Sequence, residues 1–252
     1  MKCIVLRVLA LLLPLLSSPA SAGGEYVTAN VLCRVLALRS GSQQGTGFTV
    51  EVEGRQYLVT AGHLVPGTNR LAEVAVFHAD KWEKLSMVVL RSADADVAVL
   101  VPPQVLTPTL KIVHGSEGAV LGQEVFFLGF PYMLSTDVPA NINNGFPIPF
   151  IKKGTLSAWY KGQSPYQMIF VDGINNPGFS GGPLVAVKSQ TKEMMVMGVV
   201  IGYRSSSDSV MNNNLDTGLK SLGNSGIIIC YDIRYALDEI RKQPCGPKVP
   251  ET

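Results

Sequence analysis

The sequence predicts an all-β protein of two β units closed by a short C-terminal helix. Three observations carry this reading. Short apolar runs, alternating or ending at Gly, Pro and polar clusters, recur almost throughout the chain. Prolines break the pattern near its middle, at Pro102-Pro103 and Thr107-Pro108, where a residue without an N–H cannot serve a ladder. A single helical stripe, Ile233, Ala236, Leu237 and Ile240, follows Asp232 and stops before Pro244.

The elements follow in order. Residues 1–22 read as a secretory signal: Lys2 and Arg7 make a positive start, Val8 to Leu16 is apolar, and Ala20-Ser21-Ala22 is a cleavage site. The apolar run is shorter than the roughly 20 residues of a membrane span, with an uncleaved anchor as the alternative. The expected mature chain is periplasmic or secreted and carries no membrane segment. Gly47–Val52 alternates, Glu53-Gly54 turns, and Tyr57–Thr60 returns as the second arm of a hairpin. Strands are expected at 74–77, 87–90, 97–101, 124–128, 154–159, 168–171, 194–201 and 226–230. The prolines divide the chain into units 23–105 and 106–252. Two segments read as long loops: 137–151, which holds Phe146, Ile148, Phe150 and Ile151, and the polar run 203–225.

Composition narrows the partners. The 252 residues carry a net charge of +2, and removing Lys2 and Arg7 leaves 19 basic against 19 acidic residues. No long charged run remains, which argues against nucleic acid or an anionic membrane as the main partner. Cys33, Cys230 and Cys245 stay behind the leader; Cys33 and Cys230, in apolar strand-like runs, read as two buried thiols, the alternative being one disulfide, such as Cys230 with Cys245. Their spacing fits no metal site. No metal and no cofactor is expected.

The chemistry sits in three stretches. Gly178-Phe179-Ser180-Gly181-Gly182-Pro183 places a serine between glycines, where the chain can turn sharply and aim peptide N–H groups at one point. Of the three histidines, His63 follows a strand end in Thr60-Ala61-Gly62-His63, while His78 and His114 read as surface or turn residues. Asp96 enters the apolar run Val97–Leu100, and a carboxylate there is costly unless paired. Asp94 is its competitor on the same face. A serine hydroxyl is a weak nucleophile unless an imidazole takes its proton and a carboxylate holds that imidazole. The pattern Gly-x-Ser-x-Gly also describes the nucleophile elbow of α/β-hydrolases, but there a histidine follows the serine. Here none follows His114.

In their order His63, Asp96, Ser180, and in these local contexts, the three stretches resemble the chymotrypsin-fold serine peptidases. Gly45-Thr46-Gly47-Phe48, Gly129-Phe130-Pro131, Lys153–Ser157 and Asn224–Ile227 are similar to the bacterial HtrA/DegP-like branch. The resemblance spans roughly residues 45–243 and implies two six-stranded antiparallel β-barrels of the chymotrypsin type. It implies His63 as base and then acid, Asp96 as its orienting group and Ser180 as nucleophile. The N–H groups of Gly178 and Ser180 become the oxyanion donors. The chain departs from the HtrA pattern at Phe179, where Asn is usual, and is expected to hold no PDZ domain. Phe179 cannot pair with a newly cut N-terminus, so activity is expected without zymogen cleavage.

By the same resemblance, Ile174 lies at the base of the pocket for the residue before the scissile bond, with walls near Ile201 and Gly202. No carboxylate lies there, which implies a small or medium aliphatic preference. The expected substrate is an extended polypeptide, paired as an added strand. The apolar residues of loop 137–151 suggest a homo-oligomer contact. The alternatives are a latent or inactive member of the fold acting as a binding module, and esterase chemistry at the same serine.

Overall fold

The computed structural model describes residues 26–65, 67, 70–139, 142–188 and 191–250; the leader expected over 1–22 lies outside the described residues. A helical turn, α1 (Ala29–Leu32), precedes β1 (Val35–Ser40), β2 (Gln43–Val52), β3 (Arg55–Ala61), β4 (Leu71–His78), β5 (Lys81–Arg91) and β6 (Val97–Val101). These six strands close into an antiparallel barrel in the order β1-β2-β3-β6-β5-β4. A long connection then leads to β7 (Val113–His114), β8 (Glu124–Gly129), β9 (Phe150–Tyr160), β10 (Met168–Asp172), β11 (Pro183–Val187), β12 (Met194–Asn212) and β13 (Leu215–Asp232). They form a second sheet in the order β11-β8-β9-β10-β13-β12-β7, and an added β11–β12 pairing joins six of the seven strands into a ring. β7 lies parallel on β12. The chain closes with α2 (Arg234–Lys242).

Burial on both faces explains why so many strands read as unbroken apolar runs. Leu36, Leu58, Met87 and Leu100 fill one cluster within the first barrel, and Val125, Phe127, Leu156 and Ile228 fill another in the second. Between the sheets, Phe48, Val59 and Val99 share a third cluster with Leu128, Phe130 and Val185. The stripe of α2 packs into this same cluster through Ile233, Ala236, Leu237 and Ile240. The N-cap of α2 is Ile233, one residue past the expected Asp232, whose Oδ1 still accepts the Arg234 N–H at 2.9 Å.

Several expectations need correction. Strands β1 and β11 lie outside the runs named from sequence. Residues 203–225 are not a loop: β12 and β13 continue through them as a paired ribbon, with Asn213 and Asn214 at φ +48° and +63° in its turn. Of the expected loop 137–151, Phe150 and Ile151 open β9, and Phe146 is buried against His78 with ring centroids 4.5 Å apart. Cys33, Cys230 and Cys245 are all free thiols, so no disulfide joins Cys230 to Cys245. Cys230 is buried in β13, and that burial pushes its thiol pKa up.

Candidate active site

The imidazole is set by the end of one strand and the start of another. β3 stops at Ala61, opposite Val97 of β6, which brings the turn Gly62–Leu64 beside Asp96. The Gly62 N–H donates to the Asp96 carbonyl at 3.0 Å. Glycine is required there, because a Cβ would sit 2.7 Å from Asp96 Oδ1. That oxygen accepts the backbone N–H of His63 at 2.7 Å, and Oδ2 meets His63 Nδ1 at 2.6 Å. Both carboxylate oxygens are thereby spent on one residue, which assigns the proton to Nδ1 and leaves Nε2 to exchange one. Burial raises the Asp96 pKa, but the hydrogen bonds from His63 outweigh it and hold the carboxyl below its usual range. Asp94 takes no such part; its N–H meets Ser92 Oγ.

Ser180 stands on a turn held from four directions. Within it, Phe179 N–H donates to the Asn176 carbonyl at 3.2 Å and Gly182 N–H to the Phe179 carbonyl at 2.9 Å. From β12, Val200 exchanges backbone bonds with Gly181 and Gly182 at 2.7 and 2.8 Å. From the first barrel, Thr46 N–H donates to the Ser180 carbonyl at 2.8 Å, and the Thr46 hydroxyl donates to the Gly178 carbonyl at 2.6 Å. From the β8–β9 connection, Tyr132 N–H donates to the Pro177 carbonyl at 2.9 Å. Gly178 adopts φ +107°, and a Cβ on it would lie 2.1 Å from the Phe130 carbonyl. Beneath the turn, Phe179 is buried with its ring 5.2 Å from that of Phe127.

The turn that carries His63 and the turn that carries Ser180 both approach Gly45, where an added Cβ would lie 2.5 Å from Leu64 and 2.8 Å from the Ser180 carbonyl, but the expected groups do not form one hydrogen-bonded chain. The Ser180 hydroxyl donates to the Ile201 carbonyl at 2.8 Å and makes no bond to His63. The N–H groups of Gly178 and Ser180 have no acceptor among the described residues. Phe179 N–H points aside to Asn176. Ile174 is 57% exposed, so its side chain rims an open surface rather than flooring a closed pocket. A Cβ at Gly202 would meet nothing within 4 Å, which leaves free space beside the Ile201–Gly202 step.

The other two histidines play different parts. His114 is partly buried at the end of β7, and burial, with the Arg34 charge nearby, lowers its pKa to about 4. Its Nε2 is buried without a partner. His78 ties the β4–β5 turn to loop 143–147, with Nε2 2.9 Å from the Asn144 carbonyl. Sequence reasoning missed the supports of the nucleophile turn. Thr46 lay inside a motif already noted, yet nothing local told that its hydroxyl would reach Gly178. Lys152 was passed over: its ammonium donates to the Ile174 carbonyl and to Asn176 Oδ1, the latter at 3.2 Å. Among the described residues, no group of three or more His, Cys, Asp or Glu is placed to hold a metal ion.

Comparison with known proteins places this arrangement. Protease Do-like 1, chloroplastic, of Arabidopsis thaliana is 31% identical over 154 residues; these are 60% of this chain and 32% of that protein. The chain thus spans about a third of the length of this relative. The Rv3671c protease of M. tuberculosis in an inactive form superposes with a TM-score of 0.53 at 21% identity, covering 84% of this chain and 89% of that one. The HtrA-type protease AlgW with a tripeptide gives 0.54 at 20% identity, covering 84% and 60%. At these identities the structures speak for the fold. Residues 45–191 match the family of the trypsin-like peptidase domain, and the chain belongs to it.

Proposed function

We propose that this protein is a secreted or periplasmic serine endopeptidase, its two catalytic lobes formed by residues 23–105 and 106–252. One observation carries the reading: both oxygens of Asp96 fix His63, while Ser180 stands on a glycine turn that the first barrel also holds through Thr46. In this reading Ser180 turns from the Ile201 carbonyl toward His63 Nε2, which takes its proton as the hydroxyl attacks the scissile carbonyl. The tetrahedral oxyanion is received by the unclaimed N–H groups of Gly178 and Ser180. His63 then hands the proton to the leaving amine, and a water molecule repeats the sequence to free the acyl group.

Ile174 at the rim and the open Ile201–Gly202 step suit a small or medium aliphatic side chain before the scissile bond, because none of these three residues carries a carboxylate to pair with Arg or Lys. Cleavage of unfolded casein that vanishes in Ser180→Ala tests the activity, and a peptide library tests the preference. A library dominated by Arg or Lys before the scissile bond overturns the pocket assignment. Ester turnover without casein cleavage favours esterase chemistry instead.

A second reading is favoured by the bond from Ser180 to Ile201: a latent member of the fold that binds polypeptides without cutting them. It predicts a folded protein that binds casein and leaves it intact.

A further inference from the structure

We infer that Lys152 is a positioning residue for the reaction: its ammonium holds Ile174 and Asn176, and through them the peptide that separates the two oxyanion donors. The inference rests on the reading of Ser180 as nucleophile.

The chain that leads into the nucleophile turn has no regular structure to hold it. β10 ends at Asp172, and residues 174–176 belong to no helix or strand. Their shape is set instead by a row of separate donors, one for each carbonyl. The Asn224 side-chain amide donates to the Asn175 carbonyl at 2.9 Å. Phe179 N–H, Tyr132 N–H and the Thr46 hydroxyl hold the next three carbonyls, those of Asn176, Pro177 and Gly178. The first carbonyl of the row, that of Ile174, accepts from the Lys152 ammonium and from no other group among the described residues. Lys152 is the charged donor of the row. It also reaches a second acceptor in the same segment, Asn176 Oδ1 at 3.2 Å.

The place of Asn176 gives this contact its reach. The peptide between Gly178 and Phe179 is pinned at both ends: the Thr46 hydroxyl holds its carbonyl, and the Asn176 carbonyl accepts its N–H. On either side of that peptide stand the unclaimed N–H groups of Gly178 and Ser180. The first barrel thus fixes one end, and Lys152 fixes the residue that holds the other. Without the ammonium, the Asn176 side chain keeps one contact among the described residues, to the Tyr132 hydroxyl at 3.5 Å.

The ammonium is brought there against its own hydration. Lys152 pairs with Phe127 across β8 and β9, so its stem shares a face with that buried ring. Its Nζ lies 6.0 Å from the Phe127 ring centroid and 5.8 Å from that of Phe179, and the ring faces offset part of the lost hydration. Burial pushes its pKa down. Its neighbour Lys153 pairs with Glu124, whereas Lys152 meets no carboxylate among the described residues. A partly desolvated cation without a counter-ion contributes little to holding a fold together. A charged donor does make hydrogen bonds roughly twice as strong as a neutral one, which suits a group that orders a turn.

The test compares the native protein with Lys152→Met, which keeps the apolar stem over the rings and removes the donor. Fluorophosphonate labelling of Ser180 is expected to slow about tenfold under conditions where urea unfolding shows the variant fully folded. Asn176→Ala is expected to slow labelling by a similar factor. The double variant is expected to lose far less than the product of the two, because both act through one contact. S-Aminoethylation of Lys152→Cys rebuilds an ammonium at nearly the same reach and is expected to restore labelling, with the native chain treated alike as the control. Amide exchange read by NMR follows the turn without any chemistry: the Phe179 amide is expected to exchange faster in Lys152→Met and to recover with the aminoethyl group. Native labelling in folded Lys152→Met overturns the proposal. So does a double variant that loses the full product, or an aminoethyl group that restores nothing. If Lys152→Met does not fold, Lys152→Gln takes its place in the same comparisons. If the native protein takes no label, the peptidase reading fails, and the Phe179 exchange rates decide on the positioning role by themselves.

Discussion

Single residues carry the most exposed consequences of the site. The Thr46 hydroxyl donates to the Gly178 carbonyl and accepts the Phe130 N–H, and both groups are buried. Thr46→Val strands those partners and is expected to cost about 1–3 kcal/mol in urea unfolding, while Thr46→Ser restores most of it. Gly178→Ala forces a Cβ against the Phe130 carbonyl at an unfavourable φ. It is expected to slow fluorophosphonate labelling by about a hundredfold, since one oxyanion donor moves with the turn. Asp96→Asn should slow turnover by about a thousandfold or more, because the amide no longer fixes the His63 tautomer.

His114 makes a pH prediction. In the folded chain its pKa lies at about 4, against an ordinary value of 6.5. The folded state therefore binds fewer protons than the unfolded one between these values. Its contribution is complete above pH 6.5 and is lost as the pH falls toward 4, a change on the order of 3 kcal/mol. His114→Leu should flatten the drop in thermal midpoint over that window. An unchanged drop in the variant would assign it to other groups.

At the scale of elements, the sequence was most readable where local chemistry and long-range packing agreed. Ala61-Gly62-His63 and the Gly178–Gly182 turn were legible because glycine is demanded by contacts that leave no room for a Cβ. The stripe of α2 was legible because one face is buried and the other is not. β11 was missed because Pro183-Leu184-Val185-Ala186-Val187 follows the nucleophile turn directly, and its meaning comes from β8 and β12, which are distant in sequence. The ribbon was missed for the opposite reason. A strand pair with neither face buried has no apolar period to read, and its serines and asparagines look like a loop. Phe146 seemed free for a partner because nothing local shows that the β4–β5 turn comes to meet it.

At the scale of the whole molecule, the candidate site draws on both barrels. The first barrel supplies His63 and Asp96, and through Thr46 it also clamps the turn that carries Ser180. Ordering the nucleophile turn is thus a property of the packed pair of barrels. Phe179, just before Ser180, is buried against Phe127 and offers no charge to pair with a new N-terminus. The account predicts equal activity before and after trimming of the residues that precede α1, read as casein cleavage by both forms.

The most direct test of the central claim is fluorophosphonate labelling of the purified protein, mapped by mass spectrometry, with Ser180→Ala and His63→Ala as controls. The account predicts one adduct, on Ser180, absent from both variants. A folded native protein that takes no label, or labels equally without His63, would contradict it.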